Sequence, residues 1–139
     1  MLKRQMTSML YAAVLSVGVA LPVSAAPVIW VDWQTGTAGA NGSANGVLNT
    51  SPTTVDVDYA GEIAFIQTGA GTNYWAAGNP YTSALVDNAP PGNDIIALSS
   101  ASSKMLTFSK PIDNLFFAVV SLNGNGYSFN QDFEVVSFG

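Results

Sequence analysis

The chain contains no cysteine and no histidine. Without histidine, the Ser-His-Asp triad of many hydrolases cannot be assembled. Without cysteine there is no thiol nucleophile and no disulfide, and the usual zinc sites, which use both residue types, are excluded as well. An exported domain with this composition depends on its hydrophobic core alone for stability.

Basic residues are also scarce, because four Lys and Arg stand against nine Asp and Glu. Lys3 and Arg4 lie at the N-terminus, so the 114 residues that follow residue 25 hold two lysines and all nine acids, a net charge of −7. A surface of this sign repels phosphate backbones, and nucleic acid is therefore not an expected partner. Anionic membrane surfaces are disfavoured for the same reason.

The first 25 residues have the order of a secretory signal peptide. The positive charge of Lys3 and Arg4 precedes an uncharged apolar run over residues 9–21, and small residues lead to Ala25, after which signal peptidase is expected to cut. The apolar run is shorter than the roughly 20 residues of a transmembrane helix. The sequence therefore predicts a secreted or extracytoplasmic protein with no stable membrane span in its mature chain.

Short runs of β-forming residues separated by Gly, Asn and Pro predict the structure of residues 26–139. Residues 28–33 are expected to form the first strand, and the Gly-rich residues 34–52 a loop in which an Asn-Gly pair can form a hairpin. Alternating residues 53–59 predict a half-buried strand that resumes over 62–67 after a bulge at Ala60 and Gly61.

The second half of the chain continues this pattern after a long loop over residues 68–93. Strands are predicted at 94–98, 105–109, 127–129 and 133–138, and the apolar residues 115–122 are expected to form a central strand covered on both faces. No stretch has a helical apolar period. The sequence therefore predicts one all-β domain, a β-sandwich or jelly roll of antiparallel sheets.

Several short motifs resemble bacterial exported proteins of the PEP-CTERM type, over most of residues 28–139. They are YAGEIAFIQT at 59–68, TNYW at 72–75, NAPP at 88–91, DIIAL at 94–98, LTFSKPI at 106–112 and AVVSL at 118–122. The resemblance implies export, sorting to the cell surface by an exosortase, and association with exopolysaccharide or biofilm matrix. The family's Pro-Glu-Pro sorting tail does not occur in this sequence. Two alternatives stay open: a truncated form whose sheet is incomplete at the C-terminus, or a tail-less relative.

Paired carboxylates are the remaining candidates for catalysis. Asp56 and Asp58 lie two residues apart on a predicted strand, as do Asp132 and Glu134, so each pair shares one face. A glycosidase needs two carboxylates across a cleft, one of them with a raised pKa. Because the exposed polar face of a strand explains both pairs, no catalytic residue is assigned and the protein is not expected to be an enzyme.

A calcium site is a more plausible hypothesis than catalysis. Asp87 and Asn88 precede a Pro-Pro-Gly turn, and Asn93 and Asp94 follow it. Their side-chain oxygens suit calcium, which takes six to eight oxygen ligands. The alternative is that these residues cap the turn through their own side chains. No other cofactor is expected.

Three aromatic residues of the long loop are candidates for sugar binding. Tyr74, Trp75 and Tyr81 lie among Gly, Asn and Pro, and exposed rings of this kind stack on carbohydrate. The alternative is that Trp75 fills the core beneath the loop.

Three functional hypotheses follow from the sequence. The first is a non-catalytic secreted or cell-surface protein associated with extracellular polysaccharide matrix, as the family resemblance implies. The second is a carbohydrate-binding module that uses the loop aromatics. The third, the least favoured, is a hydrolase of unassigned type.

Overall fold

A computed structural model of the chain describes residues 25, 27–76, 79–122 and 126–138. Apart from Ala25, the predicted signal peptide lies outside the described residues, as do residues 123–125. Within them the all-β prediction is confirmed, because the regular structure consists of antiparallel strands and one short 3-10 helix at Asn79–Tyr81. No helix in these ranges is long and apolar enough to cross a membrane.

Two antiparallel sheets make up the fold. The strands are β1 (Asp32–Thr37), β2 (Gly39–Leu48), β3 (Val55–Ile63), β4 (Phe65–Gln67), β5 (Ile95–Ala97) and β6 (Met105–Phe108). The larger sheet has the order β1-β2-β3-β6, and β4 pairs with β5 in the smaller sheet. Each sheet buries one face against the other, which gives the molecule a sandwich-like core.

The core lies on one face of the larger sheet. One cluster contains Ala44, Tyr59 and Ile63, and Ile66 of β4 and Ile96 of β5 pack against it from the smaller sheet. A second cluster is built from Leu48, Val55 and Val57, against which Phe108 and Ile112 pack, among others. Trp33 contacts both clusters and so joins the two halves of the core.

Strand β3 follows its sequence pattern closely. Val55, Val57 and Tyr59 are buried while Asp56 and Asp58 are exposed, as the alternation predicts. A register shift between β2 and β3 falls beside Gly61, where three steps of β2 from Gly39 to Gly42 match two of β3. The extra residue therefore lies in β2, opposite the predicted bulge.

The prediction of one continuous strand over 62–67 is wrong. A bend at Ala64 separates β3 from β4, and the chain passes there from the larger sheet to the smaller one. Strands commonly change sheets at such corners.

The prediction of a loop over 34–52 is also wrong. The low-complexity stretch from Gly39 to Leu48 forms β2, which lies inside the larger sheet with β1 and β3 on its two sides. Neither Asn-Gly pair forms a hairpin turn, since both lie within this strand. The first strand is correspondingly displaced, because β1 begins at Asp32 and residues 28–31 carry no strand.

The predicted C-terminal strands are absent from the described part of the chain after residue 108. Residues 115–122 form no strand, and Leu115 and Phe117 are 46% and 49% exposed. Residues 127–129 and 133–138 also lie outside the sheets. The expectation that 115–122 is covered on both faces is therefore wrong: these β-forming residues have no neighbouring strand to complete their hydrogen bonds.

Candidate functional site

Asn88, one of the four calcium candidates, holds the N-terminal segment and the long loop together. Asn88 Oδ1 accepts a hydrogen bond from Val28 N at 2.6 Å, and Asn88 Nδ2 donates one to Val28 O at 2.9 Å. The indole Nε1 of Trp30 donates to the backbone oxygen of Asn88. A single amide side chain thus satisfies both backbone groups of Val28, much as a neighbouring strand would.

Asp94 has a similar structural role at the start of β5. Its Oδ2 accepts a hydrogen bond from Trp33 N at 2.9 Å, and its Oδ1 accepts one from Gly69 N. The carboxylate joins β1 to the loop that follows β4. Both carboxylate oxygens of Asp94 receive backbone donors, whereas the Asn88 side chain bonds to Val28.

The other two calcium candidates differ in their surroundings. Asp87 is exposed, and Asn93 takes part through its backbone oxygen, which accepts a hydrogen bond from Gln67 Nε2. Within the described ranges there is no group of three or more acidic, histidine or cysteine side chains that could hold a metal ion. None of these contacts caps the Pro-Pro-Gly turn, because the side chains of Asn88 and Asp94 bond to backbone groups outside it, at Val28, Trp33 and Gly69.

The three loop aromatics do not form one exposed platform. Trp75 is 7% exposed, its Nε1 donates to the backbone oxygen of Asp94, and its ring meets that of Tyr81 edge to face with 5.1 Å between centroids. Tyr81 is partly buried, so only Tyr74, at 37% exposure, presents a ring to solvent. Trp75 fills the space beneath the loop and orders it, which is the alternative that its residue type suggests.

A buried carboxylate anchors the loop before β6. Glu62 accepts hydrogen bonds from Ser99 N at 3.1 Å, Ser99 Oγ at 2.8 Å and Ser100 N at 3.4 Å. The Lys104 ammonium lies 3.8 Å from this carboxylate and donates to the backbone oxygens of Ser100 and Ser102. The loop therefore folds around two opposite charges, with a shallow depression of about 530 Å³ beside Lys104.

These contacts set the ionisation of Glu62 and of its neighbour Tyr59. The hydrogen bond from the Ser99 hydroxyl, with the backbone donors and Lys104, holds the pKa of Glu62 below its usual value despite burial. Burial above all, and then the charges of Glu62 and Tyr127, raises the pKa of Tyr59 to about 12. Tyr59 is consequently a neutral donor, and its hydroxyl bonds to the backbone oxygen of Glu62 at 2.7 Å.

None of these groups is arranged as a proton-transfer pair. A general base works best with a pKa near neutrality, whereas the pKa values of Glu62 and Tyr59 are displaced away from neutrality in opposite directions. Asp56 and Asp58 lie on the exposed face of β3, as the sequence predicts. The charged groups of the larger sheet therefore divide into a buried structural set and an exposed set.

A row of polar side chains crosses the exposed face of the larger sheet. Thr35 pairs with Asn45, Asn45 with Asp58, and Asp58 with Thr107, so the four residues lie side by side on β1, β2, β3 and β6. Asn45 Nδ2 donates to Asp58 Oδ1, and Thr35 Oγ1 lies 3.5 Å from Asn45 Oδ1. We call these four residues the polar row. The sequence pattern does not indicate the polar row, because it predicts a loop where β2 lies.

A second exposed feature follows β6. The rings of Phe117, Phe129 and Phe133 form a chain in which each successive pair of centroids is 5.1 Å apart, with interplanar angles of 39° and 62°. All three rings are at least 38% exposed. Tilted rings of this kind pack against one another and do not make the coplanar platform on which a sugar ring stacks.

No family model, no curated protein and no solved structure matches this chain. The fold places it among all-β proteins with antiparallel sheets.

Proposed function

We propose that the chain is a non-catalytic exported protein, secreted or held at the cell surface, that associates with extracellular polysaccharide. The single observation that carries this proposal is the polar row on the exposed face of the larger sheet. Amide, carboxylate and hydroxyl groups are the side chains that exchange hydrogen bonds with sugar hydroxyls. A sheet presents them in a flat, rigid array that suits an extended polymer.

The use of the other polar groups supports a binding role. Asn88, Asp94 and Glu62 bond to backbone groups of the chain itself. In contrast, Asp58 Oδ1 accepts from Asn45 Nδ2 and Asn45 Oδ1 accepts from Thr35 Oγ1, both within the exposed polar row, and these oxygens have further lone pairs that can accept from a ligand. The resemblance to PEP-CTERM proteins and the signal-like residues 1–25 support an extracytoplasmic location, and the negative net charge of −5 favours neutral over acidic polysaccharides.

The three loop aromatics support a carbohydrate-binding module less strongly than the polar row does. Of the three, Tyr74 alone offers an exposed ring, and a lone ring gives little affinity for a polymer. Glu62 and Tyr59 give the hydrolase alternative no support, because their pKa values are displaced away from neutrality.

Affinity electrophoresis in gels containing neutral or acidic polysaccharides tests the proposal. We expect a neutral polymer to retard the chain, and Asp58→Asn combined with Asn45→Ala to reduce the retardation at least five-fold. Asp87→Asn is the matched control, since Asp87 is also exposed but lies in the long loop away from the polar row. Equal retardation of all variants, or none with any polymer, would contradict the proposal.

Export is tested separately by expressing the chain in a bacterium and sequencing the N-terminus of the product. Cleavage after Ala25 is expected, and a product that keeps residues 1–25 in the cytoplasm would contradict the proposed location.

A further inference from the structure

The motif Ala-Asn-Gly occurs twice in β2, and the fold holds the asparagines of the two copies differently. Asn41 belongs to the first copy, over 40–42, and Asn45 to the second, over 44–46. Both asparagines are exposed and both precede a glycine. Because their immediate neighbours in the sequence are the same, a difference in their chemistry must come from the surrounding structure.

An asparagine that precedes a glycine is prone to spontaneous deamidation, because glycine has no side chain to shield its backbone nitrogen. That nitrogen attacks Cγ of the asparagine, the bond from Cγ to Nδ2 breaks, and ammonia leaves with the proton of the backbone N–H. Water then opens the cyclic imide at either of its carbonyl carbons and gives aspartate or isoaspartate. Solvent water is the only other reactant, so geometry decides whether an exposed Asn-Gly pair reacts.

The fold holds Asn45 in place on both sides. It pairs with Thr35 of β1 and with Asp58 of β3. Its Nδ2 donates to Asp58 Oδ1, and its Oδ1 accepts from Thr35 Oγ1. Attack needs the reacting atoms about 3–3.5 Å apart and aligned. To reach that geometry, the Asn45 side chain must leave both partners and turn onto Gly46 N, which the paired strand opposes.

Asn41 lies where the pairing of β2 is interrupted. The pairing of β1 with β2 ends at Thr37 and Ser43, so Asn41 has no partner on β1. Towards β3 the register shifts between Gly39 and Gly42, and Asn41 falls inside this shift. Its amide forms no hydrogen bond with the described residues. Since the ladder is disrupted at such irregularities, this segment rearranges at a lower free energy than a strand paired on both sides.

The fold also accommodates the product better at Asn41. Isoaspartate lengthens the backbone by a methylene group, which disturbs the register of a paired strand, and at Asn41 the register is already interrupted. A carboxylate there would lie in the lining of the shallow depression, where Lys104 is the one charged residue among the described residues. We propose that Asn41 is a deamidation site of the folded chain, and that the pairing of β2 protects Asn45.

Incubation of the folded chain at mildly alkaline pH, followed by peptide mapping, tests this inference. Tandem mass spectrometry with fragmentation between Asn41 and Asn45 assigns the deamidation to one site or the other. We expect the initial rate at Asn41 to exceed the rate at Asn45 at least ten-fold. The chain unfolded in urea is the matched control: without strand pairing, the two rates should agree within about two-fold. Asn123 and Asn125 also precede glycine, but Lys110 places them on a separate tryptic peptide.

The inference is overturned by equal rates at Asn41 and Asn45 in the folded chain, by a faster rate at Asn45, by no reaction at Asn41, or by a rate ratio that persists in urea. Isoaspartate is expected at position 41 beside aspartate, because the imide opens at either carbonyl carbon. Aspartate alone would indicate direct hydrolysis of the amide and would also overturn it. Asn41→Gln should abolish the signal at position 41, since glutamine must close a larger and less favourable ring, and an undiminished signal there would contradict the assignment.

Discussion

Strand β2 and residues 115–122 contradict the usual relation between composition and strand formation. Strand β2 consists mainly of Gly, Ala, Asn and Ser, which are weak strand formers, yet it lies inside the larger sheet. Residues 115–122, with the sequence LFFAVVSL, are strong strand formers and form no strand. Intrinsic preference is therefore the weaker influence, and pairing with neighbours on both sides is the stronger one.

The largest expected difference between the two regions is in the contribution of apolar side chains to stability. Ile63 is 2% exposed and lies between the two sheets, so Ile63→Ala is expected to lower the free energy of unfolding by about 2–5 kcal/mol. Val135 is 67% exposed, and Val135→Ala should change it by less than about 0.5 kcal/mol.

Urea unfolding at a concentration where the chain is monomeric measures both values. If Val135→Ala lowers the free energy of unfolding as much as Ile63→Ala does, residues 115–138 belong to the core. The contrast between the sheets and residues 115–138 then disappears.

The next effect concerns the small residues of β2. A Cβ added at Gly46 would lie 2.7 Å from the backbone oxygen of Asp32 and 2.9 Å from the ring of Trp33. Gly46→Ala is therefore expected to displace Trp33, which joins the two core clusters. The substitution should lower the free energy of unfolding by about 1–3 kcal/mol. Glycine at this position is a packing requirement.

Gly126→Ala is the control for this substitution, because nothing lies within 4 Å of a Cβ added there. The free energy of unfolding of this variant should stay within about 0.5 kcal/mol of the parent protein. A stable Gly46→Ala variant with unchanged tryptophan fluorescence would show that Trp33 is not displaced and would contradict this prediction.

The sequence was sufficient to predict the parts of the fold in which side chains alternate in size and polarity. The pattern from Val55 to Tyr59 predicts β3 because large apolar and acidic residues take turns. In β2 an alternation is also present, since Gly42, Ala44, Gly46 and Leu48 are buried and the residues between them are more exposed. Apart from Leu48, its buried members are glycine and alanine, which are too small to mark an apolar face, so the sequence pattern indicates a loop.

The candidate site was less predictable than the fold. The polar row depends on the register of four strands, and a residue's partner across a strand is not encoded by local pattern. The tethers made by Asn88 and Asp94 join residues about 60 positions apart. Their residue types predicted a turn or an ion, but the backbone groups that they bind could be found only from the tertiary structure.

The smallest expected effect is a pH dependence that belongs to the sheet region alone. The pKa of Glu62 is lowered in the folded state by the Ser99 hydroxyl and by neighbouring donors. A lowered pKa stabilises the folded chain fully above the unfolded value of about 4.5, and this contribution is lost as the pH falls through the folded value. Glu62→Gln keeps one acceptor oxygen but removes the charge, so the variant should be less stable than the parent at pH 7, and the gap should close as the pH falls below the unfolded value and through the lowered folded value.

Thermal melts between pH 3 and pH 8 measure this gap, and Glu134→Gln is the matched control because Glu134 is exposed in the region without strands. A gap of constant size at every pH would mean that Glu62 acts through its shape and neutral hydrogen bonds, not through its charge. A comparable gap for Glu134→Gln would place a structural carboxylate in residues 115–138. Either result would remove the electrostatic part of the contrast between a sheet whose loops are fixed by buried polar contacts and a C-terminal region whose described residues form no strand.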